Sequence, residues 1–272
     1  MLIVISPAKA LDFETPAPFP ARQAPAFVDR AAILIERLRA LPPQAVAQLM
    51  DLSDALTALN VARYRAWQPE HTPENSAPAL FAFNGDVYEG LSARTLPPDA
   101  IEWLENHLRI LSGLYGVLRP LDAMQPYRLE MGSRLENPEG KDLYAFWRTT
   151  VTENLKRTLA AMAATGEPAV LVNLASHEYF KAVDPKALGF PVITPQFEDE
   201  KGGRYRVISF YAKRARGLMV RHLAECALAQ GRLEPEAILS FAKAGYHYVP
   251  EISRPDAPVF RREEKARSVG DA

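Results

Sequence analysis

The sequence predicts a mixed α/β (α+β) fold in which a central mixed sheet is surrounded by helices. Three observations lead there. Short continuous apolar runs of β formers occur at Leu2–Ile5 and at residues 169–174, the pattern of buried strands. Between and after them run longer segments with apolar residues three and four apart, the helical period. The 272 residues are also 48% hydrophobic with a formal net charge of −1, enough to bury one sizeable core. One compact domain over residues 1–250 is expected, with residues 251–272 forming an edge strand and a loose tail.

The composition also narrows the function classes. No stretch approaches the roughly 18 apolar residues of a membrane span, and no charged leader precedes an apolar run. A soluble, cytoplasmic protein without membrane contact is expected. The single cysteine, Cys226, excludes an internal disulfide. The five histidines (71, 107, 177, 222 and 247) show no ligand spacing, so neither a metal site nor a cofactor is expected. With charges nearly balanced, nucleic-acid affinity requires basic residues gathered on one face.

Taken in order, the Leu2–Ile5 strand is broken at once by Ser6-Pro7-Ala8-Lys9. Lys9 thus sits on a loop at a strand end, where a rigid sheet positions functional groups, or it is solubilising punctuation. Four prolines between Thr15 and Pro25 mark a linker-like crossing. Helical spacing resumes over residues 27–41 through Ala31, Leu34 and Leu38, and Pro42 and Pro43 separate that helix from the next. Asn60, Arg63 and Tyr64 are expected on a solvated face. Residues 79–91 read as strand, turn at Asn84-Gly85-Asp86, then short helix or strand.

The spacing of Ile101, Leu104, Leu108 and Leu111 predicts a helix, capped by Asp99 and stopped near Gly113. Gly113 and Gly116 bracket a tight turn, and Pro120 forbids helix continuation. Bare amides in such a turn admit a phosphate, and Arg119 and Arg128 follow closely. Alternatively the glycines only permit a hairpin between packed helices, with Arg119 paired to Asp122 or Glu130.

A long amphipathic helix is expected over residues 143–162. Beyond the second strand, Ser176 can cap a helix begun by Glu178 and Tyr179; if the strands are parallel, that terminus shares an end of the sheet with Lys9. Residues 192–194 and 205–211 are further strand candidates, the latter reached through the hairpin signal Lys201-Gly202-Gly203-Arg204.

From Lys201 to His222 there are seven Lys or Arg and no Asp or Glu. A helix from Ala212 onward places Ala215, Leu218, Met219, His222 and Cys226 on one side and Lys213, Arg214, Arg216 and Arg221 on the other. Gly217 falls in the basic arc, where a missing side chain would let a phosphate backbone approach. A solvated face normally mixes both signs, so the single sign favours anion binding, with nucleic acid the obvious polyanion.

Residues 6–9 (SPAK), 83–91 (FNGDVYEGL), 111–132, 173–181 (NLASHEYFK) and 208–221 (ISFYAKRARGLMVR) together resemble the YaaA peroxide-stress-resistance family, through most of the chain. The resemblance implies a cytoplasmic bacterial protein that protects DNA during hydrogen peroxide stress and lowers free intracellular iron. It also implies double-stranded DNA bound in a positively charged cleft, and a helix-hairpin-helix element gripping phosphates through glycine amides. Residues 111–120 correspond to that element, although Gly113-Leu114-Tyr115-Gly116 is one residue longer than the usual Gly-hydrophobic-Gly. On this reading the nucleic-acid contacts are Lys9, Gly113, Gly116, Arg119, Arg128, Lys213, Arg214, Arg216 and Arg221, mainly to phosphates, and the iron effect is indirect. The alternative is a nucleobase- or nucleotide-processing enzyme of glycosylase/lyase type. Its catalytic candidates are Lys9, Asp86, Glu178 and Lys181, because a lysine beside a carboxylate is the minimum for imine chemistry on a sugar.

Overall fold

In the computed structural model, which describes residues 1–267, the run Leu2–Ile5 (β1) is buried along its whole length. Parallel strands pair with both of its edges, which makes it a central strand, and central parallel strands buried on both faces carry continuous apolar runs. Leu108–Ser112 (β2), Gly116–Leu118 (β3), Leu171–Leu174 (β4) and Val192–Ile193 (β5) join it in the spatial order β3-β2-β1-β4-β5. β1 runs parallel to β2 and β4, and β4 to β5; β3 alone returns antiparallel, on β2. Parallel neighbours need long crossovers. Val28–Ala40 (α1), Pro43–Met50 (α2), Asp54–Ala66 (α3), Asp86–Leu91 (α4) and Pro98–His107 (α5) lie between β1 and β2, and Leu143–Ala164 (α6) lies between β3 and β4.

Local signals set several of these boundaries. Pro43 opens α2 at the position where a missing N–H costs nothing. Asp142 caps α6 by accepting the Ala145 N–H at 2.9 Å.

After β5, Gln196–Lys201 (β6) and Arg204–Arg206 (β7) form a hairpin whose Gly202 and Gly203 both have positive φ, 60° and 73°. That is the backbone a two-residue primed turn requires. His247–Tyr248 (β8) and Val259–Arg262 (β9) complete a second sheet in the order β7-β6-β9-β8. The short helix His177–Phe180 (α7) follows β4. The long helix Ser209–Gln230 (α8) packs on α4, α5 and β6, so it joins the second sheet to the helices of the β1–β2 crossover. No helix among the described residues is long and apolar enough to cross a membrane.

Several expectations are corrected. The helix through Ile101 and Leu104 ends at His107 and has Pro97 rather than Asp99 at its cap position. Leu108 and Leu111 belong to β2, because pairing with the buried β1 outweighs helical spacing. Residues 111–120 are consequently a β-hairpin and not a helix-hairpin-helix element. Asn60 and Tyr64 are buried, not solvated: the Tyr64 hydroxyl donates to the Arg128 carbonyl, and the Asn60 amide donates to the Leu56 carbonyl at 2.8 Å. The strand expected over 205–211 stops at Arg206, and α8 begins at Ser209.

Finally, β9 is an interior strand, parallel to β6 and antiparallel to β8, and not an edge. Arg262 on β9 supplies the counterion for fully buried Asp199 on β6, which an edge strand would have left half in water. Residues 268–272 of the expected tail lie outside the described residues.

Candidate functional site

The carboxyl ends of β1 and β4 lie side by side, because those strands pair in parallel register from Leu2↔Leu171 to Ile5↔Leu174. The loops leaving them are therefore forced together. The Ser176 N–H donates to Ser6 Oγ at 2.8 Å, and the two hydroxyls are 3.2 Å apart. Beyond Ser6, the short antiparallel pairing of Ala10 with Asn84 holds the Lys9 loop against the 84–86 turn. Tyr88, on α4, donates its hydroxyl to the Ser6 carbonyl at 3.2 Å.

These loops, with α4 and α8, enclose a cleft of about 300 Å³ whose charged and amide lining is Lys9, Asn84, Asp86, Glu130, Glu178, Lys213 and Arg216. A roomier hollow of about 430 Å³ lies under the proline-rich segment and carries His71, Asp12 and Arg22, but no lysine. Only the smaller cleft gathers the groups whose chemistry the sequence singled out. It also sits where open parallel sheets hold ligands.

Most of the cleft's charges already have partners. Lys9 Nζ is 3.0 Å from Glu130 Oε1, and Arg128 holds the same oxygen at 2.7 and 2.9 Å. Lys213 Nζ lies 3.9 Å from Asp86 Oδ2. Glu178 accepts the Gly132 N–H at 2.9 Å. Arg216 differs: it makes no ion pair or hydrogen bond among the described side chains, and burial alone draws its guanidinium pKa below the ordinary value. A half-buried guanidinium that stays charged and faces a cleft lacks the compensation that buried charge requires.

The remaining expected contacts lie elsewhere. Gly113 and Gly116 sit in the fully buried β2–β3 turn. There the Gly113 carbonyl accepts the Trp147 indole N–H at 2.8 Å, and a Cβ on Gly113 would meet the Leu129 carbonyl oxygen at 2.2 Å. No phosphate reaches those amides. Arg119 pairs with buried Glu105 at 3.0 Å. Arg221 pairs with Glu225 at 2.8 Å and donates to the Leu91 and Ser92 carbonyls, finishing α4. Lys181 stacks over the Tyr144 ring at 4.6 Å and is not part of the cleft lining, nor is half-buried Arg214. Gly217 is covered by α4 and offers no gap to solvent. The Ser6 hydroxyl and the Gly132 amide were missed by sequence reasoning; only the position of Ser6 directly after β1 signalled the former.

Asp122 illustrates how far the Arg119 region serves stability. It is 2% exposed and accepts the Arg119 N–H and the Gln23 amide, each at 2.8 Å. Burial nonetheless pushes its carboxyl up to about 6. A raised folded-state pKa contributes stability that is fully present below about pH 4, the unfolded value, and is lost as pH rises through about 6. The stability of the wild type relative to Asp122→Asn is therefore expected to fall by about 2–3 kcal/mol between pH 4 and pH 8. Urea midpoints across that range check it, and a difference independent of pH would contradict the assignment.

Fold and cleft together define an α/β protein with a charged, ligand-sized cleft at the carboxyl ends of parallel strands. The model of the family described as "Peroxide stress protein YaaA" matches residues 1–252. Among curated proteins, UPF0246 protein azo1887 of Azoarcus sp. (strain BH72) is 58% identical over 265 residues, 97% of this chain and 100% of the relative. The UPF0246 protein of Polynucleobacter necessarius subsp. necessarius (strain STIR1) is 54% identical over 265 residues, with the same shares covered. That of Cupriavidus metallidurans is 55% identical over 262 residues, 96% of this chain and 98% of the relative. The chain belongs to the YaaA family of peroxide stress proteins.

Proposed function

We propose that this peroxide stress protein binds double-stranded DNA through its phosphates, with Arg216 and Lys213 of α8 as the principal contacts and Lys9 across the cleft. The observation that carries the reading is Arg216, a cleft-facing guanidinium without an acidic partner among the described residues. A phosphate oxygen supplies the charge-assisted hydrogen bonds it lacks. Lys213 is more than half exposed and only loosely held by Asp86, and Arg204 and Arg206 lie exposed on the edge strand that leads into α8. DNA protection during peroxide stress follows from such binding, in the cytoplasm; a lowering of free iron enters this reading as an indirect effect.

Binding of a labelled duplex followed by anisotropy tests it. If about three phosphates are neutralised, a fourfold rise in salt is expected to weaken binding by one to two orders of magnitude. Arg216→Ala should weaken it further at fixed salt, whereas Arg119→Ala should not, since Arg119 serves Glu105. Absent or salt-insensitive binding would discard the proposal.

A second reading, catalysis on a nucleobase or sugar, is favoured by one observation: Lys9 Nζ lies 3.0 Å from a carboxylate within the cleft. The amine would add to the C1′ aldehyde of an abasic site and water would leave, giving an imine. Borohydride would reduce that imine to a stable adduct, absent in Lys9→Met. No adduct in the wild type removes this reading and leaves the first intact.

A further inference from the structure

Behind the cleft lies a column of aromatic rings that DNA binding does not use. Tyr88 lines the cleft. Its ring lies 5.4 Å from that of Phe83, Phe83 lies 6.4 Å from Tyr127, and Tyr127 lies 5.5 Å from Tyr115. Tyr115 in turn is 5.9 Å from His71, which opens into the hollow under the proline-rich segment. The column thus joins the two hollows through a buried interior.

The hydrogen bonds of Tyr115 fix where its proton points. Its oxygen accepts the Trp67 indole N–H at 2.9 Å and the Gln125 backbone N–H at 3.2 Å. Both lone pairs are thereby engaged, so the O–H is left to point at His71 Nε2, 3.4 Å away. His71 Nδ1 lies 3.0 Å from the Pro69 carbonyl, a contact that requires N–H there and leaves Nε2 bare. Burial lowers the His71 pKa, which keeps the ring neutral and able to accept.

The other tyrosines of the column have weaker bases for partners. The Tyr88 hydroxyl donates to a peptide carbonyl, and that of Tyr127 shares a 2.6 Å bond with the Ser112 hydroxyl. Loss of an electron from a phenol is favourable only when its proton has a base to go to. Tyr115 alone in the column faces an imidazole.

We propose that Tyr115 is a one-electron oxidation site, with His71 as its proton acceptor, drained from the cleft through Tyr88, Phe83 and Tyr127. The oxidant is a hydroxyl-radical-class species formed from peroxide. It takes one electron and becomes hydroxide, the Tyr115 proton passes to His71 Nε2, and a neutral phenoxyl radical beside an imidazolium remains. The column would carry oxidising equivalents away from whatever occupies the cleft. The proposal does not depend on the identity of that occupant.

Flash oxidation of the intact protein by photogenerated ruthenium(III) tris-bipyridine tests it, read by transient absorption and electron paramagnetic resonance. The wild type is expected to form a phenoxyl radical. Tyr115→Phe should lose most of it, and Tyr127→Phe should slow its appearance. His71→Gln, at a half-buried position, should slow formation by about tenfold or more, the effect of a barrier raised by about 1.4 kcal/mol. An unchanged radical yield in Tyr115→Phe, or an unchanged rate in His71→Gln, would overturn the proposal. Should Tyr115→Phe fail to fold, the His71→Gln rate decides alone.

Discussion

Replacing Gly217 with alanine is expected to destabilise the protein by about 1–3 kcal/mol or more, the cost of overpacking a filled interface. A Cβ at this position would lie 1.8 Å from the Val87 carbonyl oxygen and 2.7 Å from the Leu91 nitrogen. Across the same contact a Cβ on Gly90 would lie 2.1 Å from the Arg214 carbonyl oxygen. The backbones of α4 and α8 touch because neither helix has a side chain there, and backbone atoms cannot turn aside as a flexible side chain would. Urea unfolding separates this role from the phosphate gap suggested by the basic arc. A gap for DNA would cost affinity at unchanged stability, whereas a packing contact moves the unfolding midpoint. Affinity should fall as well, since the contact sets where Lys213 and Arg216 stand relative to Asp86. A midpoint equal to that of the wild type would refute the packing role.

The same contrast shows which parts of the site were legible beforehand. Two buried apolar runs announced strands whose direction stayed open, and their parallel pairing brings Ser6 to Ser176 and Lys9 into one cleft with Lys213. That much follows from strand direction. Partners set by tertiary approach were not legible. Arg119 was matched to Asp122 or Glu130, yet its side chain pairs with Glu105 at 3.0 Å while Asp122 takes its backbone N–H. The cationic run that ends at His222 contains no acid, and the partner of Arg221, Glu225, lies one helical turn beyond it. The glycines of residues 113–116 signalled a turn correctly but not which element it joins. Leu108–Ser112 has helical spacing and β register alike, and the decision came from β1, about a hundred residues away.

Asp199→Ala is the substitution expected to cost most, about 3–5 kcal/mol, because it removes the fully buried acid that pairs with Arg262. Asp199 is fully buried, and its Oδ1 meets Arg262 Nε at 2.6 Å and lies 3.8 Å from Arg267 Nε, while the Tyr246 hydroxyl donates to Oδ2 at 2.6 Å. Both guanidinium groups also lie 4.9 Å from the ring of Tyr211 in the first turn of α8. The acid therefore anchors the C-terminal strand and the cleft helix at one point. Asp199→Asn keeps a hydrogen-bond acceptor but not the charge, and should fall between wild type and alanine in urea midpoint; a loss under about 0.5 kcal/mol for alanine would place this site among ordinary surface changes. Since Arg262 and Arg267 lie beyond the family match, which ends at residue 252, a chain cut there should lose the same anchor. Its α8 would then hold Lys213 and Arg216 less firmly, so its affinity for DNA should drop even though every cleft residue is retained.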